Sequence, residues 1–200
     1  MARRIVMCSD GTGNSFDEQV SNVARLITLL DLSQPARQVV FYDQGIGTVP
    51  KHAGAVKTYK NTQPDERSAL TVLDPPYHPW WVPSRMARVA GLTIGYGLRR
   101  NVKELYTALA GSYEDNAAIY LFGFSRGAFT VRVLAGLLFR CGLLPHDTPN
   151  FASKFEEAYD LYTPHQQDDD AVTQFTQREH VRRPRVHFLG LWDTVKSYGG

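Results

Sequence analysis

The sequence predicts an α/β fold, with a mostly parallel sheet and helices on both of its faces. Two observations predict it. Short apolar runs typical of buried strands alternate with apolar stripes at helical spacing, and most of the runs end in a cluster of turn-forming residues. Strands separated by helices are joined by right-handed crossovers and pair in parallel. The 200 residues, 43% of them hydrophobic, suffice for one core, and we expect a single domain over residues 1–200.

The first part of the chain is expected to supply two strands and a helix. Residues 5–8 are an apolar run that ends in the turn signal Asp10-Gly11-Thr12-Gly13-Asn14. Residues 39–42 form the second strand. The helix between them, with Ser21 or Asn22 as its N-cap, has one apolar face, made of Val23, Leu26, Ile27 and Leu30.

From about residue 49 to residue 89 the periodicity disappears, and we expect an irregular insertion there. The stretch contains six prolines and the pair Trp80-Trp81. Loops of this length inside a compact domain are usually functional or disordered. The insertion is therefore interpreted either as a lid or access loop, or as a structural segment packed by its own aromatic side chains.

Regular patterns resume in the second half of the chain. A helix around residues 102–109 is followed by the strand 118–122 and by an almost wholly apolar helix, 128–141, which Gly142 and Pro145 stop. Two further helices, the second of them weaker, precede the last strand; these three elements are expected at 151–162, 171–181 and 186–191.

Composition and charge exclude several classes of protein. The net charge is +2, from 22 basic and 20 acidic residues that are scattered along the chain, so we expect no nucleic-acid partner. The aspartate run at residues 168–170 is interpreted as a solvated loop. A signal peptide needs an apolar stretch of roughly 7–15 residues, which the N-terminus lacks, and no run is long enough to span a membrane. We therefore expect a protein made in the cytoplasm, with Cys8 and Cys141 as buried, reduced thiols.

The residues Gly123-Phe124-Ser125-Arg126-Gly127 match the pattern G-x-S-x-G at a junction between a strand and a helix. In that position the pattern predicts a nucleophile elbow, a turn so tight that its neighbours must lack side chains. Gly123 and Gly127 would let the two backbones approach each other, and Ser125 would project as the nucleophile. The alternative is a glycine-rich turn that happens to contain a serine. The elbow predicts the α/β-hydrolase fold.

Two backbone N–H groups are expected to stabilise the oxyanion of such a reaction. One belongs to Arg126 at the helix N-terminus. The other is expected from the loop after the first strand, with Gly11 or Thr12 as donor and Asp10 as the residue that orders the turn. The rival interpretation is a phosphate-binding loop, but the third glycine of a dinucleotide fingerprint is missing and no Gly-Lys-Ser/Thr sequence follows. We predict no cofactor and no metal site.

Asp193 is the predicted acid of the triad. It follows the C-terminal end of the last strand, and the triad order in this fold is Ser, acid, His. The alternative is a turn or capping aspartate, with Asp43 and Asp147 as weaker candidates for the acid. Every histidine precedes Asp193, and we therefore expect the catalytic histidine to lie outside this chain, in a longer hydrolase of which this is a C-terminally incomplete piece; the six are His52, His78, His146, His165, His180 and His187.

Four blocks of the sequence resemble, in order, the signature blocks of the uncharacterised α/β-hydrolase family that includes the type VI secretion phospholipase effectors. The blocks are residues 10–14, 42–48, 123–128 and 191–195. The resemblance implies a lipase-like enzyme with a Ser–Asp–His triad, in which Ser125 and Asp193 fall on the matching positions. In the effector branch it implies membrane phospholipids cleaved at acyl esters. The chain departs from the family pattern at Gly13, where an aromatic residue is more usual, and in the stretch from about 49 to 89.

These features together favour a serine carboxylic-ester hydrolase, of the phospholipase A type, that acts through an acyl-enzyme on Ser125. The alternatives are a small-ester esterase or thioesterase, and a non-catalytic binding module that keeps the fold. The expected partners are a lipid or other ester substrate and, through Trp80-Trp81, a transient contact with a membrane surface. The resemblance adds export by a type VI system and a secretion or immunity partner.

Overall fold

The computed structural model describes residues 2–11, 21–43, 69–73, 94–163 and 168–195. Within these residues five strands form one sheet in the order β3-β2-β1-β4-β5, and every neighbouring pair is parallel. In chain order the strands are β1 (Arg4–Ser9), β2 (Gln38–Asp43), β3 (Leu70–Leu73), β4 (Ala118–Phe124) and β5 (Val186–Trp192). Because all of them run in the same direction, their carboxyl ends lie along a single edge of the sheet.

The described residues also form five helices, which are α1 (Asn22–Thr28), α2 (Ile94–Ser112), α3 (Arg126–Cys141), α4 (Phe151–Tyr162) and α5 (Asp169–Arg178). Ser21 is the N-cap of α1, since its hydroxyl accepts from the N–H of Ala24. Helix α3 ends where Gly142 takes a φ of 78°, a backbone conformation in which glycine is favoured because it has no Cβ.

The aspartate run at 168–170 is part of a helix, and its interpretation as a solvated loop was wrong. The side chain of Asp168 accepts from the N–H of Ala171 and caps α5, while Asp169 and Asp170 occupy the first turn. Negative charge is stabilised at a helix N-terminus by the unpaired N–H groups and by the helix dipole. A run of aspartates is therefore a helix start signal as well as a loop signal.

Side chains alternate between the two faces of the sheet, and both faces are covered by helices. On one face Ile5 and Met7 of β1 pack in a large core with residues of α2, α3, α4 and α5. On the other face Val6 and Cys8 pack with Val23 and Ile27 of α1. This arrangement confirms the expected α/β fold with helices around a parallel sheet.

One strand lies inside the stretch that was expected to be irregular. Of residues 49–89 the structure describes only 69–73, and Leu70–Leu73 form β3, which pairs with β2 from Val40 to Asp43. The N–H of Val40 also donates to the carbonyl oxygen of Ala69 at 2.6 Å. A four-residue strand between proline-rich segments is too short to produce a periodic pattern, which explains why the sequence did not reveal it.

The strand order reverses between β1 and β4. The chain proceeds from β1 to β2 and β3 on one side, and from β4 to β5 on the other. In open α/β sheets the crevice outside the carboxyl ends at such a reversal is where ligands bind. The segments that leave this point are Asp10-Gly11, after β1, and Ser125-Arg126, after β4.

Candidate active site

Ser125 lies between β4 and α3 with a φ of 54° and a ψ of −119°. A positive φ is uncommon for a residue with a side chain, and such a conformation costs on the order of 1–3 kcal/mol. Its side chain makes no capping hydrogen bond to α3 and is partly exposed. The serine therefore projects from a strained turn at the carboxyl edge of the sheet.

The two glycines that flank Ser125 lie where no side chain fits. A Cβ on Gly123 would be 2.5 Å from the Cα of Ala128, in the first turn of α3. A Cβ on Gly127 would be 2.5 Å from the carbonyl oxygen of Asp10, and the carbonyl of Ser9 is nearer still. These contacts are with backbone, which cannot rotate away as a flexible side chain can. Gly123 lets β4 turn sharply into α3, and Gly127 lets α3 pack directly on the end of β1.

The backbone at Gly11 lies against Ser125. A Cβ on Gly11 would be 3.1 Å from the Cβ of Ser125 and 2.9 Å from a ring carbon of Phe124. The N–H of Gly11 donates to Oδ1 of Asp10 at 2.7 Å. That hydrogen bond competes with the predicted use of the Gly11 N–H as an oxyanion donor. Thr12, the other residue predicted for this role, lies outside the described residues.

The carboxylate of Asp10 is buried and accepts from two further side chains. Its Oδ2 accepts from the hydroxyl of Ser21 at 2.5 Å and from the phenol of Tyr42 at 2.9 Å. Burial, and then the negative charge of Asp10, raise the pKa of Tyr42 far above its usual range. The same two causes raise the pKa of the Cys8 thiol. Both groups therefore stay protonated, and the phenol acts as a donor to the carboxylate.

Arg126 is the first residue of α3 and is half-buried. Burial lowers the pKa of its guanidinium, although an arginine stays charged at any physiological pH. The N–H groups of the first helical turn point out of the N-terminus, toward the region beside Ser125, and the dipole of the 16-residue helix favours negative charge there. An oxyanion formed next to Ser125 would meet this positive end.

Asp193 follows β5 as Ser125 follows β4. The register pairs Phe124 with Trp192, so the residues that come next along the two strands are Ser125 and Asp193. Neighbouring strands are about 4.8 Å apart. Asp193 is exposed and has a φ of 45°. Its backbone is held on either side, because the N–H of Ser125 donates to the carbonyl of Trp192 at 2.9 Å and the N–H of Val195 donates to that of Ser125 at 3.1 Å.

The two weaker candidates for the acid lie elsewhere. Asp43 ends β2, two strands from β4, and its carboxylate accepts from Ser9 Oγ at 2.7 Å and from Asn101 Nδ2 at 2.9 Å. Asp147 lies in the turn between α3 and α4, next to His146. That turn is at the amino edge of the sheet, because a Cβ on Gly111 would contact the ring of His146. Gly111 lies in the last turn of α2, just before β4 begins.

The three described histidines lie away from Ser125. His146 is at the amino edge, and His180 follows α5 on the approach to the start of β5. His187, near the start of β5, stacks on the ring of Tyr120 with ring centroids 6.2 Å apart, and its Nδ1 donates to the carbonyl of Arg185. From Tyr120 to Ser125 is roughly 16 Å of strand. His52, His78 and His165 lie outside the described residues, as do Trp80 and Trp81.

Of the four polar residues that support this edge, three were given no site role from the sequence, and Ser21 was singled out only as a possible helix cap. Ser9 and Asn101 hold Asp43, while Tyr42 and Ser21 hold Asp10. Tyr42 looked like an ordinary strand residue, and Asn101 lies within a helix that was recognised by its apolar stripe. The available signal was the position of Ser9 and Tyr42, each at the carboxyl end of a strand beside an aspartate.

The described residues contain no group of three or more His, Cys, Asp and Glu side chains that could hold a metal ion. None of the helices in the described parts of the chain is long and apolar enough to cross a membrane.

The chain is similar to a known protein family and to a yeast protein. A family described as "T6SS, Phospholipase effector Tle1-like, catalytic domain" matches residues 3–200. The chain is 28% identical, over 205 aligned positions, to the Uncharacterized protein YEL023C of Saccharomyces cerevisiae; the alignment covers 98% of this chain and 27% of that protein, so the chain spans about a quarter of its relative. No solved structure was found to match. The match over almost its whole length shows that the chain belongs to the family of Tle1-like phospholipase effector catalytic domains.

Proposed function

We propose that this domain is a serine hydrolase of the phospholipase A type, which cleaves the acyl ester of a phospholipid through an acyl-enzyme on Ser125. The observation that carries the proposal is the backbone of Ser125, at φ 54° and ψ −119° between a strand and a helix. A strained conformation persists only where its surroundings over-determine it, and here Gly123 and Gly127 make the tight turn sterically possible. An ordinary loop serine needs none of these features.

The chemistry follows from the groups around the serine. The Oγ of Ser125 attacks the ester carbonyl and loses its proton to a histidine, which passes that proton to the departing lysophospholipid alcohol. The N–H of Arg126 and the N-terminus of α3 stabilise the oxyanion. Thr12 is the proposed second donor, since the N–H of Gly11 contacts Asp10. Water then hydrolyses the acyl-enzyme and returns the hydroxyl to Ser125.

Asp193 is the proposed acid. Its role is to hold the histidine in the correct tautomer and to stabilise the imidazolium that forms. Two features support the assignment: Asp193 follows Trp192, the register partner of Phe124, as Ser125 follows Phe124, and the segment around it is hydrogen-bonded to the elbow on both sides. Asp43, by contrast, lies two strands from β4, and its carboxylate oxygens already accept from Ser9 and Asn101.

Family membership supports a lipid as the substrate, and the serine elbow supports acyl transfer as the chemistry. We therefore propose a fatty acid and a lysophospholipid as the products. Export through a type VI secretion system, neutralisation by an immunity protein and a membrane contact through Trp80-Trp81 are proposals of the same kind. They follow from the family and from composition.

A fluorophosphonate probe tests the nucleophile directly. In the full-length protein the probe should label the wild type and a Ser153→Ala control, whose serine is exposed on α4, but not Ser125→Ala. Phospholipid hydrolysis should follow the same pattern. Labelling of Ser125→Ala at wild-type level would overturn the assignment of the nucleophile.

The products identify the reaction. Liposomes of phosphatidylethanolamine and phosphatidylglycerol should release free fatty acid and lysophospholipid in equal amounts. Release of diacylglycerol or phosphatidic acid would exclude the A type, because those products require cleavage at the phosphate. Turnover of soluble short-chain esters without turnover of liposomes would favour a small-ester esterase, and a folded protein inactive on both would favour a binding module.

A further inference from the structure

The buried carboxylate of Asp10 connects the backbone beside Ser125 to two other elements of the fold. We propose that Asp10, held by Ser21 and Tyr42, is a positioning residue that fixes the Asp10–Gly11 peptide against the nucleophile. The proposal rests on the proposed function only in taking Ser125 as the nucleophile. Asp10 touches no reacting atom in this role and acts through the backbone.

Among the described residues, three donors converge on this carboxylate. Oδ1 accepts from the N–H of Gly11 at 2.7 Å, and Oδ2 accepts from Ser21 at 2.5 Å and from Tyr42 at 2.9 Å. Hydrogen bonds to a carboxylate are roughly twice as strong as those between neutral groups, and Asp10 is 1% exposed, so water does not replace them. The side chain is therefore fixed by partners on both of its oxygens.

Each partner belongs to a different part of the fold. Tyr42 lies on β2, next to β1 in the sheet. Ser21 is the N-cap of α1, so its hydroxyl accepts from the N–H of Ala24 while it donates to Asp10. Gly11 follows directly on Asp10. The orientation of the Asp10–Gly11 peptide is thus set by contacts with β2 and with α1, in addition to the turn itself.

The route from Gly11 to the nucleophile is a direct contact. A Cβ on Gly11 would be 3.1 Å from the Cβ of Ser125 and 2.9 Å from the ring of Phe124, so there is no room for a side chain between the Gly11 backbone and the serine. On the other side Gly127 packs against the carbonyl of Asp10. A shift of the Asp10–Gly11 peptide would therefore displace the backbone that lies against Ser125 and Gly127. A misplacement of about 1 Å in an active site can cost about 100-fold in rate.

Asp10 also differs from a triad acid in a way that an experiment can detect. Asp10 directly follows β1, which neighbours β4 on one side as β5 does on the other. An acid needs its negative charge to hold an imidazolium, whereas a positioning residue needs only acceptor and donor atoms in the right places. Asparagine supplies them: its oxygen can accept from Gly11, and its amide can donate to the oxygens of Ser21 and Tyr42.

The test compares Asp10→Ala, Asp10→Asn and Tyr42→Phe in the full-length protein, with Tyr106→Phe as the matched control. Tyr106 is a fully buried tyrosine whose hydroxyl is hydrogen-bonded to Gly142 and Leu144, near the end of α3 that is far from Ser125. The measurements are kcat and KM on a soluble chromogenic ester, the affinity for a trifluoromethyl ketone that forms a tetrahedral adduct, and the melting temperature.

We expect Asp10→Ala to lower kcat about 100-fold with little change in KM, and to weaken ketone binding in parallel. Asp10→Asn should restore kcat to within about tenfold of wild type, since it retains hydrogen-bonding atoms. Tyr42→Phe should lower kcat several-fold, whereas Tyr106→Phe should lower the melting temperature alone. If Asp10→Ala fails to fold, the comparison of kcat between Tyr42→Phe and Tyr106→Phe, each a near-isosteric change, still tests the proposal.

Two results would overturn the proposal. Equal kcat for the two tyrosine variants would show that the network serves stability only. A loss in Asp10→Asn as large as that in Asp10→Ala would show that the charge itself is used. Fluorophosphonate labelling of wild-type Ser125 is independent of these variants, so a failure of the proposed nucleophile is distinguishable from a failure of the role of Asp10.

Discussion

The N–H of Ser125 donates to the carbonyl oxygen of Trp192 at 2.9 Å. This bond extends the β4–β5 ladder, whose last register pair is Phe124 with Trp192, by one step into the elbow. The chain after Trp192 then turns back to the elbow, where the N–H of Val195 donates to the carbonyl oxygen of Ser125 at 3.1 Å. Asp193 lies between these two bonds, so the geometry of the elbow and the position of the proposed acid depend on each other.

We expect Asp193→Asn to lower kcat by about 10³–10⁴-fold, because an amide in place of the acid favours the wrong histidine tautomer. KM and the melting temperature should change little, since the side chain is exposed. Steady-state kinetics on a soluble ester check the prediction. Asp147→Asn, at the amino edge, is the matched control and should retain full activity.

A loss of less than tenfold in Asp193→Asn would move the acid role to another residue. Asp43→Asn would be the next variant to examine, because Asp43 also lies at the carboxyl edge of the sheet. Its hydrogen bonds to Ser9 and Asn101 are buried, so that variant requires a measurement of stability beside the kinetics.

Gly127→Ala should destabilise the fold by at least about 2 kcal/mol, because the new methyl group would overlap the backbone of Ser9 and Asp10. Gly136→Ala in the same helix is the control. There the nearest atom is the hydroxyl at the far end of Tyr162, which can move, and alanine gains about 0.5–1 kcal/mol over glycine in a helix. Urea denaturation of both variants measures the difference. Equal stabilities would mean that the elbow has room that the structure does not show.

The sequence was sufficient to predict four of the five described strands and the tight strand-to-helix turn at Ser125, while the catalytic roles of Ser125 and Asp193 stay predictions. The reason is local: a strand, a G-x-S-x-G turn and an apolar helix follow one another directly, so the pattern needs no knowledge of distant contacts. The N-cap at Ser21 was predicted, as one of two residues, on the same grounds.

The features that the sequence did not reveal depend on contacts between distant residues. β3 has four residues, and its pairing with β2 is what makes it a strand. The contacts of Asp10 with Ser21 and Tyr42 join residues 11 and 32 positions apart in the chain. The hydrogen bond between Gly11 and Asp10 is local, yet a glycine-rich turn offers several N–H groups and the sequence does not say which of them a carboxylate takes.

Cys8 and Cys141 should resist alkylation at pH 8 in the folded protein. Both are fully buried, and burial raises the pKa of Cys141 to about 11 and that of Cys8 further. Because the thiolate is the reactive form, iodoacetamide should label two thiols only after denaturation, as counted by mass spectrometry. A raised pKa in the folded state also means that stability is lost as the pH rises above about 9. Rapid labelling of native protein at pH 8 would contradict this burial.

None of the three described histidines should be the catalytic base. His146 and His180 lie toward the amino edge of the sheet, and His187 stacks on Tyr120, at a distance from Ser125 of roughly 16 Å along the strand. Replacing each of them by alanine should leave kcat within about twofold of wild type, whereas loss of a true base costs about 10⁴-fold or more. The measurement is ester hydrolysis by the full-length protein, with His52→Ala, His78→Ala and His165→Ala tested in parallel. A large loss in His146→Ala, His180→Ala or His187→Ala, with the melting temperature unchanged, would contradict the placement of the site at the carboxyl edge.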